Sequence, residues 1–143
     1  MTKKEAAMLL ELIKLSYPHA YRDMDDKWML ATINMWVSSF PEVPYPIIEQ
    51  AFNHYRMSHK FPPTVAEMVE ELGHIYYQAL ELANIQANLG NEKELNHFRA
   101  IMSCTHRYKD PDSLGTLQAM PTGLEGGNYG EIGQAYQGLY SGS

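Results

Sequence analysis

Cys104 and His106 stand two residues apart, close enough for a thiol and an imidazole to share a metal or to act as nucleophile and base. Zinc usually takes four such ligands, and no second pair has matching spacing. His97 is the other imidazole near this thiol in sequence, but no local catalytic signature surrounds Cys104. His54 and His59 are five apart, which points them to different sides of a helix. Carboxylates cluster at Asp23, Asp25 and Asp26, and again at Glu67, Glu70 and Glu71. Paired acids can exchange protons, but acids at helix starts more often complement the positive end of the helix dipole. The Gly126-Gly127 and Gly130 region has no preceding apolar strand and no following Lys-Ser or Lys-Thr, so it does not form a phosphate loop. These residues predict no catalytic group, no metal site and no cofactor. The chain reads as a protein that is not an enzyme.

Aromatic residues offer a different chemistry, that of recognition. Trp28 and Trp36, eight apart, could stack single-stranded bases, but no basic residue interleaves between them, so both are predicted to be core. Tyrosine occurs ten times, and Tyr76-Tyr77 places one ring inside and one outside a helix. The outward one, Tyr77, is a candidate protein contact, because tyrosine is enriched in interface cores.

Charge and composition narrow the partners. The formal charge is −6 and the isoelectric point about 5.4, with Lys3-Lys4 the only adjacent Lys/Arg pair. Strong nucleic-acid binding through phosphates needs clustered Lys and Arg, so none is expected. Cys104 is the single cysteine, which excludes an intramolecular disulfide and suits a reducing compartment. Lys3 and Lys4 precede an apolar stretch as in a signal peptide, but Glu5, Glu11 and Lys14 interrupt it at helical spacing. No segment reaches the ~20 apolar residues of a membrane span. A cytoplasmic protein with no membrane contact is expected.

Proline and capping residues set out the elements that must position these side chains. Pro62 and Pro63 lack N–H donors and bias their predecessors toward extended backbone, so no helix passes through them. Thr64 and Glu67 then have the spacing of a capping box, opening a helix over Val65 to about Leu89 with Gly90 as its C-terminal cap. Thr2 with Glu5 opens a first helix to about Tyr17, and a second runs from Met24 or Asp25 to Ser39. Its predicted face is Trp28, Met29, Ile33, Trp36, Val37 and Phe40. Tyr45, Ile48, Ala51, Phe52 and Tyr55 make a third helix ending near Met57. Asn91 and Glu94 cap a fifth with the stripe Leu95, Phe98, Ile101 and Met102. Strand signals are poor throughout. The prediction is an all-α bundle of four to five short helices, a helical domain over 1–107 followed by a flexible Gly-rich tail over 108–143.

Residues 111–143 carry eight of the ten glycines and no Lys or Arg. Such a composition buries too little apolar surface to offset ordering entropy, and disorder of the free segment is expected. Ile132, Tyr136, Leu139 and Tyr140 nevertheless fall at helical spacing, with Tyr129 just before them. They are candidate partner-binding residues that fold against a partner's groove.

A short aromatic helix followed by Phe61-Pro62-Pro63-Thr64 and Glu67 resembles the small bacteriophage helicase loader/inhibitor proteins, over roughly residues 2–80. The resemblance implies a non-catalytic protein of the bacterial host cytoplasm that binds a DnaB-type hexameric replicative helicase and holds it inactive. It also implies delivery of that helicase to an origin-bound replisome organiser, with the tail important for the helicase contact. Two other readings fit a binding protein: a phage inhibitor of a host replication or defence protein, and a DNA-binding replisome organiser. Net charge opposes the last.

Overall fold

The structure is a computed structural model and describes residues 1–109. It contains five α-helices and one 3-10 turn, with no strand among the described residues. The expected all-α fold with four to five short helices is therefore found. The helices are α1 (Lys3–Ser16), α2 (Asp26–Ser39), α3 (Tyr45–Arg56), α4 (Val65–Leu89) and α5 (Glu92–Thr105), followed by the turn His106–Tyr108. The tail expected from residue 108 lies, from 110 onward, outside the described residues. The chain divides into two compact units, Met1–Glu71 and the part from Leu72 onward.

Local chemistry starts and stops each helix in the first unit. Thr2 and Glu5 form a complete capping box on α1, each side chain bonded to the other's backbone N–H. Asp25 caps α2, accepting a 2.7 Å hydrogen bond from the Trp28 N–H. Pro44 precedes α3 and Pro46 occupies its first turn, where a missing N–H costs nothing. α1 packs against both α2 and α3. Leu9, Leu10, Ile13, Phe40, Val43, Ile48, Phe52 and Tyr55 are buried in this unit, and Trp36 stacks on Phe40 at 5.7 Å.

The second helix departs from its predicted face. Trp36 is 3% exposed, but Trp28 is 48% exposed. Thr32, one turn before Trp36, is buried instead. Its hydroxyl donates to the Trp28 carbonyl at 2.9 Å, so a polar residue occupies a core position with its hydrogen bond satisfied. Trp28 sits in the first turn of α2 and packs on Tyr21 of the preceding connector, with ring centres 5.6 Å apart.

The second unit is a helical hairpin. Gly90 has φ +71°, the left-handed geometry that lets the chain leave α4 and reach the Asn91 cap of α5. Tyr76, Ala79, Ala83, Leu95 and Met102 form its core, with Leu80, Ala87, Phe98 and Ile101 partly buried around them. Gly73 allows the 3-10 turn to press on α4: a Cβ there would lie 2.6 Å from the Tyr108 carbonyl oxygen.

This packing sets two expectations for stability. Trp36→Ala should cost about 3–5 kcal/mol, the range for truncating a buried large aromatic, while Trp28→Ala should cost well under half as much in denaturant titrations. Gly73→Ala gains about 1 kcal/mol of helix propensity but meets backbone at its Cβ, where overpacking costs about 1–3 kcal/mol. The net change should be a lowered melting temperature; an unchanged or higher one would show that the Tyr108 turn yields freely.

Candidate functional site

The Phe61-Pro62-Pro63 corner between α3 and α4 is held from several directions. Thr64 Oγ1 accepts from the Glu67 N–H at 3.2 Å, and Glu67 Oε1 accepts from the Thr64 N–H at 3.0 Å. The expected capping box is complete. Glu67 also accepts from the Tyr55 hydroxyl through Oε2 at 3.1 Å, and the same hydroxyl lies 3.0 Å from the Phe61 carbonyl. The Tyr55 ring stacks on His59 at 3.9 Å, nearly parallel. Tyr17, the residue that ends α1, donates its hydroxyl to the His59 carbonyl at 2.9 Å and packs its ring edge on Phe52. The corner backbone is thereby tied to α1, α3 and α4, while the Phe61 side chain stays 77% exposed.

Protonation states follow from these contacts. Burial pushes the Tyr55 phenol far above its ordinary value, and the Glu67 carboxylate adds to the shift. Tyr17 and Tyr21 are raised by burial as well, so all three remain neutral donors. Glu67 is held below the ordinary carboxylate range, chiefly by the Thr64 backbone N–H. Glu71 is buried, and the His54 Nδ1 lies 2.6 Å from its Oε2. The acids read as helix-start features thus have separate tasks: Glu67 caps and braces, Glu71 pairs with an imidazole, and Glu70 is exposed.

Two adjoining clefts flank this corner. One, of about 370 Å³, is lined by Tyr17, Pro18, Lys60, Phe61 and Pro62. The other, of about 520 Å³, is lined by the packed Tyr21 and Trp28 together with Arg22, Asp23, Asp25 and Lys27. His19 and Ala20 belong to both. The Asp25 carboxylate is already occupied by the Trp28 N–H, and an Arg22 guanidinium nitrogen lies 2.6 Å from His19 Nδ1. Aromatic rings and cations thus line both clefts, with Asp23 and Asp25 beside the cations in the larger one.

The residues whose types could do chemistry are arranged otherwise. Burial raises the Cys104 thiol, which donates to the Ile101 carbonyl at 3.2 Å. Burial also pushes His106 down to about 4, with the Lys109 charge adding to it. Neither the thiolate nor the imidazolium is favoured near neutral pH. Among the described residues, no group of three or more His, Cys, Asp or Glu side chains converges as a metal would require. Tyr77 is 40% exposed on α4, in the second unit, with its ring edge-on to Tyr76 at 5.3 Å. Tyr129, Ile132, Tyr136, Leu139 and Tyr140 lie outside the described residues.

The two clefts were not anticipated from sequence. Phe61 was legible only as part of a helix stop, and Trp28 only as a member of a helical stripe. One signal was available: an aromatic residue directly before Pro-Pro cannot join a helical stripe and must find its own neighbours.

Compared with known proteins, residues 1–69 match the family model for the N-terminal domain of the phage helicase-binding protein gp39P. No curated protein and no solved structure matches the chain.

The capping box sets a pH dependence. Because the native Glu67 carboxyl titrates below its ordinary value of 4.5, its stabilisation is complete above that pH and is lost as pH falls through the lower native value. Thr64→Ala should cost about 1 kcal/mol near neutrality. The gap between the parent and a Glu67→Gln variant, which has no carboxylate at any pH, should narrow in acid, as read from urea midpoints at pH 7 and pH 3. A gap that stays constant would remove the Glu67 carboxylate from the cap.

Proposed function

We propose, from the membership of residues 1–69 in this N-terminal-domain family of phage helicase-binding proteins, that the chain is a helicase loader and inhibitor. It binds a DnaB-type hexameric replicative helicase in the bacterial host cytoplasm and keeps it inactive. It then passes the helicase to an origin-bound replisome organiser and leaves. It performs no catalysis and needs no cofactor of its own; any nucleotide is on the helicase.

The family match is the observation that carries this reading. The matched segment contains both clefts and the braced Phe61 corner, so the folded first unit supplies a rigid recognition surface on loops, where binding residues commonly sit. The tail residues Tyr129, Ile132, Tyr136, Leu139 and Tyr140 supply the helicase contact, with Tyr77 as an accessory anchor. Ordering such a segment costs ~1–2 kcal/mol per backbone residue, so a few aromatic anchors must provide most of the affinity. The formal charge of −6 weighs against direct DNA binding as the main activity.

Calorimetry against a purified replicative helicase of this type, with and without ATP, tests the assignment. The intact chain should bind. Deleting residues 125–143 should weaken binding while leaving the helical melting transition in place, and Tyr136→Ala should reproduce much of the loss. Full affinity after the deletion would remove the tail from the interface, and no affinity in the intact chain would overturn the loader reading.

A further inference from the structure

One face of α2 is exposed and carries no charge. From Trp28 to Ser39 the helix has no Asp, Glu, Lys or Arg, and only Thr32 and Trp36 are buried. Trp28, Ala31 and Met35, spaced i, i+3 and i+7, are all exposed, with Leu30 exposed on the flank. The hydroxyls of this helix turn back onto its own backbone. Thr32 donates to the Trp28 carbonyl at 2.9 Å, and Ser38 and Ser39 donate to the Met35 carbonyl at 3.1 and 2.7 Å. The exposed sides of α1 and α3 are built otherwise, with Lys3, Lys4 and Glu11 on one and Gln50, His54 and Arg56 on the other.

Solvent contact of such a stripe is unfavourable by ~25 cal/mol per Å² of apolar area. Anchors at i, i+3 and i+7 are also the pattern by which a helix seats in an apolar groove of another protein. Exposed acids outnumber cations beside the stripe, with Asp23, Asp25 and Asp26 before it and Glu42 after it, against Arg22 and Lys27. The groove that fits therefore has an uncharged floor, because a charge buried against this stripe would be left unpaired, and cations at its rim. Resting on the helicase reading above, we infer that α2 docks by Trp28, Ala31 and Met35 into such a groove on the replicative helicase.

Area and charge decide against a second copy. A standard interface takes ~800 Å² from each partner, and an aromatic side chain, the largest kind, offers at most ~250 Å². Trp28, Leu30 and Met35 are 48%, 55% and 48% exposed, so together they reach less than half of that area. Two chains of net charge −6 would also repel each other. The stripe therefore serves as one part of a wider contact with a different protein. Nucleic acid is the poorer occupant, because acids stand at both ends of the stripe.

Calorimetry of the full chain against the purified DnaB-type helicase reads the contact. Ala31→Glu and Ala31→Lys should each weaken binding about tenfold or more, the scale of a hot-spot substitution, because an uncharged groove rejects either sign. Gln50→Glu, which adds a charge to the exposed side of α3, should leave affinity unchanged. Met35→Gln, of similar length and without charge, should weaken binding as well. All four variants should keep the parent's melting temperature, since each position is exposed. Should an Ala31 variant unfold, Met35→Gln decides.

Full affinity in the Ala31 and Met35 variants, with binding by the intact chain, would overturn the α2 contact and leave the loader reading in place. A loss with Ala31→Glu matched by a gain with Ala31→Lys would overturn the uncharged groove in favour of charge steering. Equal weakening by Gln50→Glu and Ala31→Glu would overturn the assignment to this face. Sedimentation of the chain alone as a dimer that Ala31→Glu dissociates would overturn it in favour of a second copy. No binding by the intact chain would overturn both readings together.

Discussion

Tyr55 and Glu67 hold the position on which the first unit's surface depends. Two consecutive prolines remove two backbone donors and keep the chain extended, so the corner cannot brace itself with helical hydrogen bonds. The brace comes from side chains. One carboxylate accepts from the Thr64 N–H and from the Tyr55 hydroxyl, and that hydroxyl also reaches the Phe61 carbonyl. A hydroxyl has one proton and two lone pairs, so it can serve only one of these acceptors as donor at any instant. The two neighbours share it, which couples the end of α3 to the first turn of α4. The Phe61 backbone is fixed in this way while its ring is left in water.

A different constraint governs the second unit. There, small residues set how near the elements can lie: Ala79 and Ala83 in the hairpin core, and Gly73 beneath the Tyr108 carbonyl. Glycine within a helix costs about 1 kcal/mol relative to alanine, and at Gly73 that cost accompanies the close approach of a backbone carbonyl. Large side chains such as Tyr76, Leu95 and Met102 still fill the second unit's core, so the steric constraint acts at particular positions, Gly73 above all.

Burial is the largest cause of the shifts at Tyr55, Cys104 and His106. The buried phenols are neutral, the thiol is raised and His106 is lowered. The match of residues 1–69 to the N-terminal domain model of a phage helicase-binding protein is what points to recognition. In the first unit, the braced corner holds the Phe61 backbone while its side chain stays exposed.

Helix boundaries were legible because caps and prolines act over three or four residues. Thr2 with Glu5, Thr64 with Glu67, Asn91 with Glu94, and Gly90 after α4 each declare an end without reference to the rest of the molecule. The family pattern was legible for the same reason, since it consists of those local signals around Phe61. Periodicity found Leu9, Ile13, Phe52, Tyr55, Tyr76 and Met102 as core, but it could not rank members of a stripe by depth. Trp28 and Trp36 share a helical face, yet one is in water and the other is not. The difference lies in which elements lie over each turn of α2, and helical spacing carries no information about that. Tertiary structure likewise decided that Glu71 is buried against His54 and that Glu67 serves two donors. It also decided that Lys60 and Phe61 meet the connector between α1 and α2 across some forty residues of sequence. Local hydrogen bonding is written in neighbouring residues, whereas exposure depends on which distant surfaces meet.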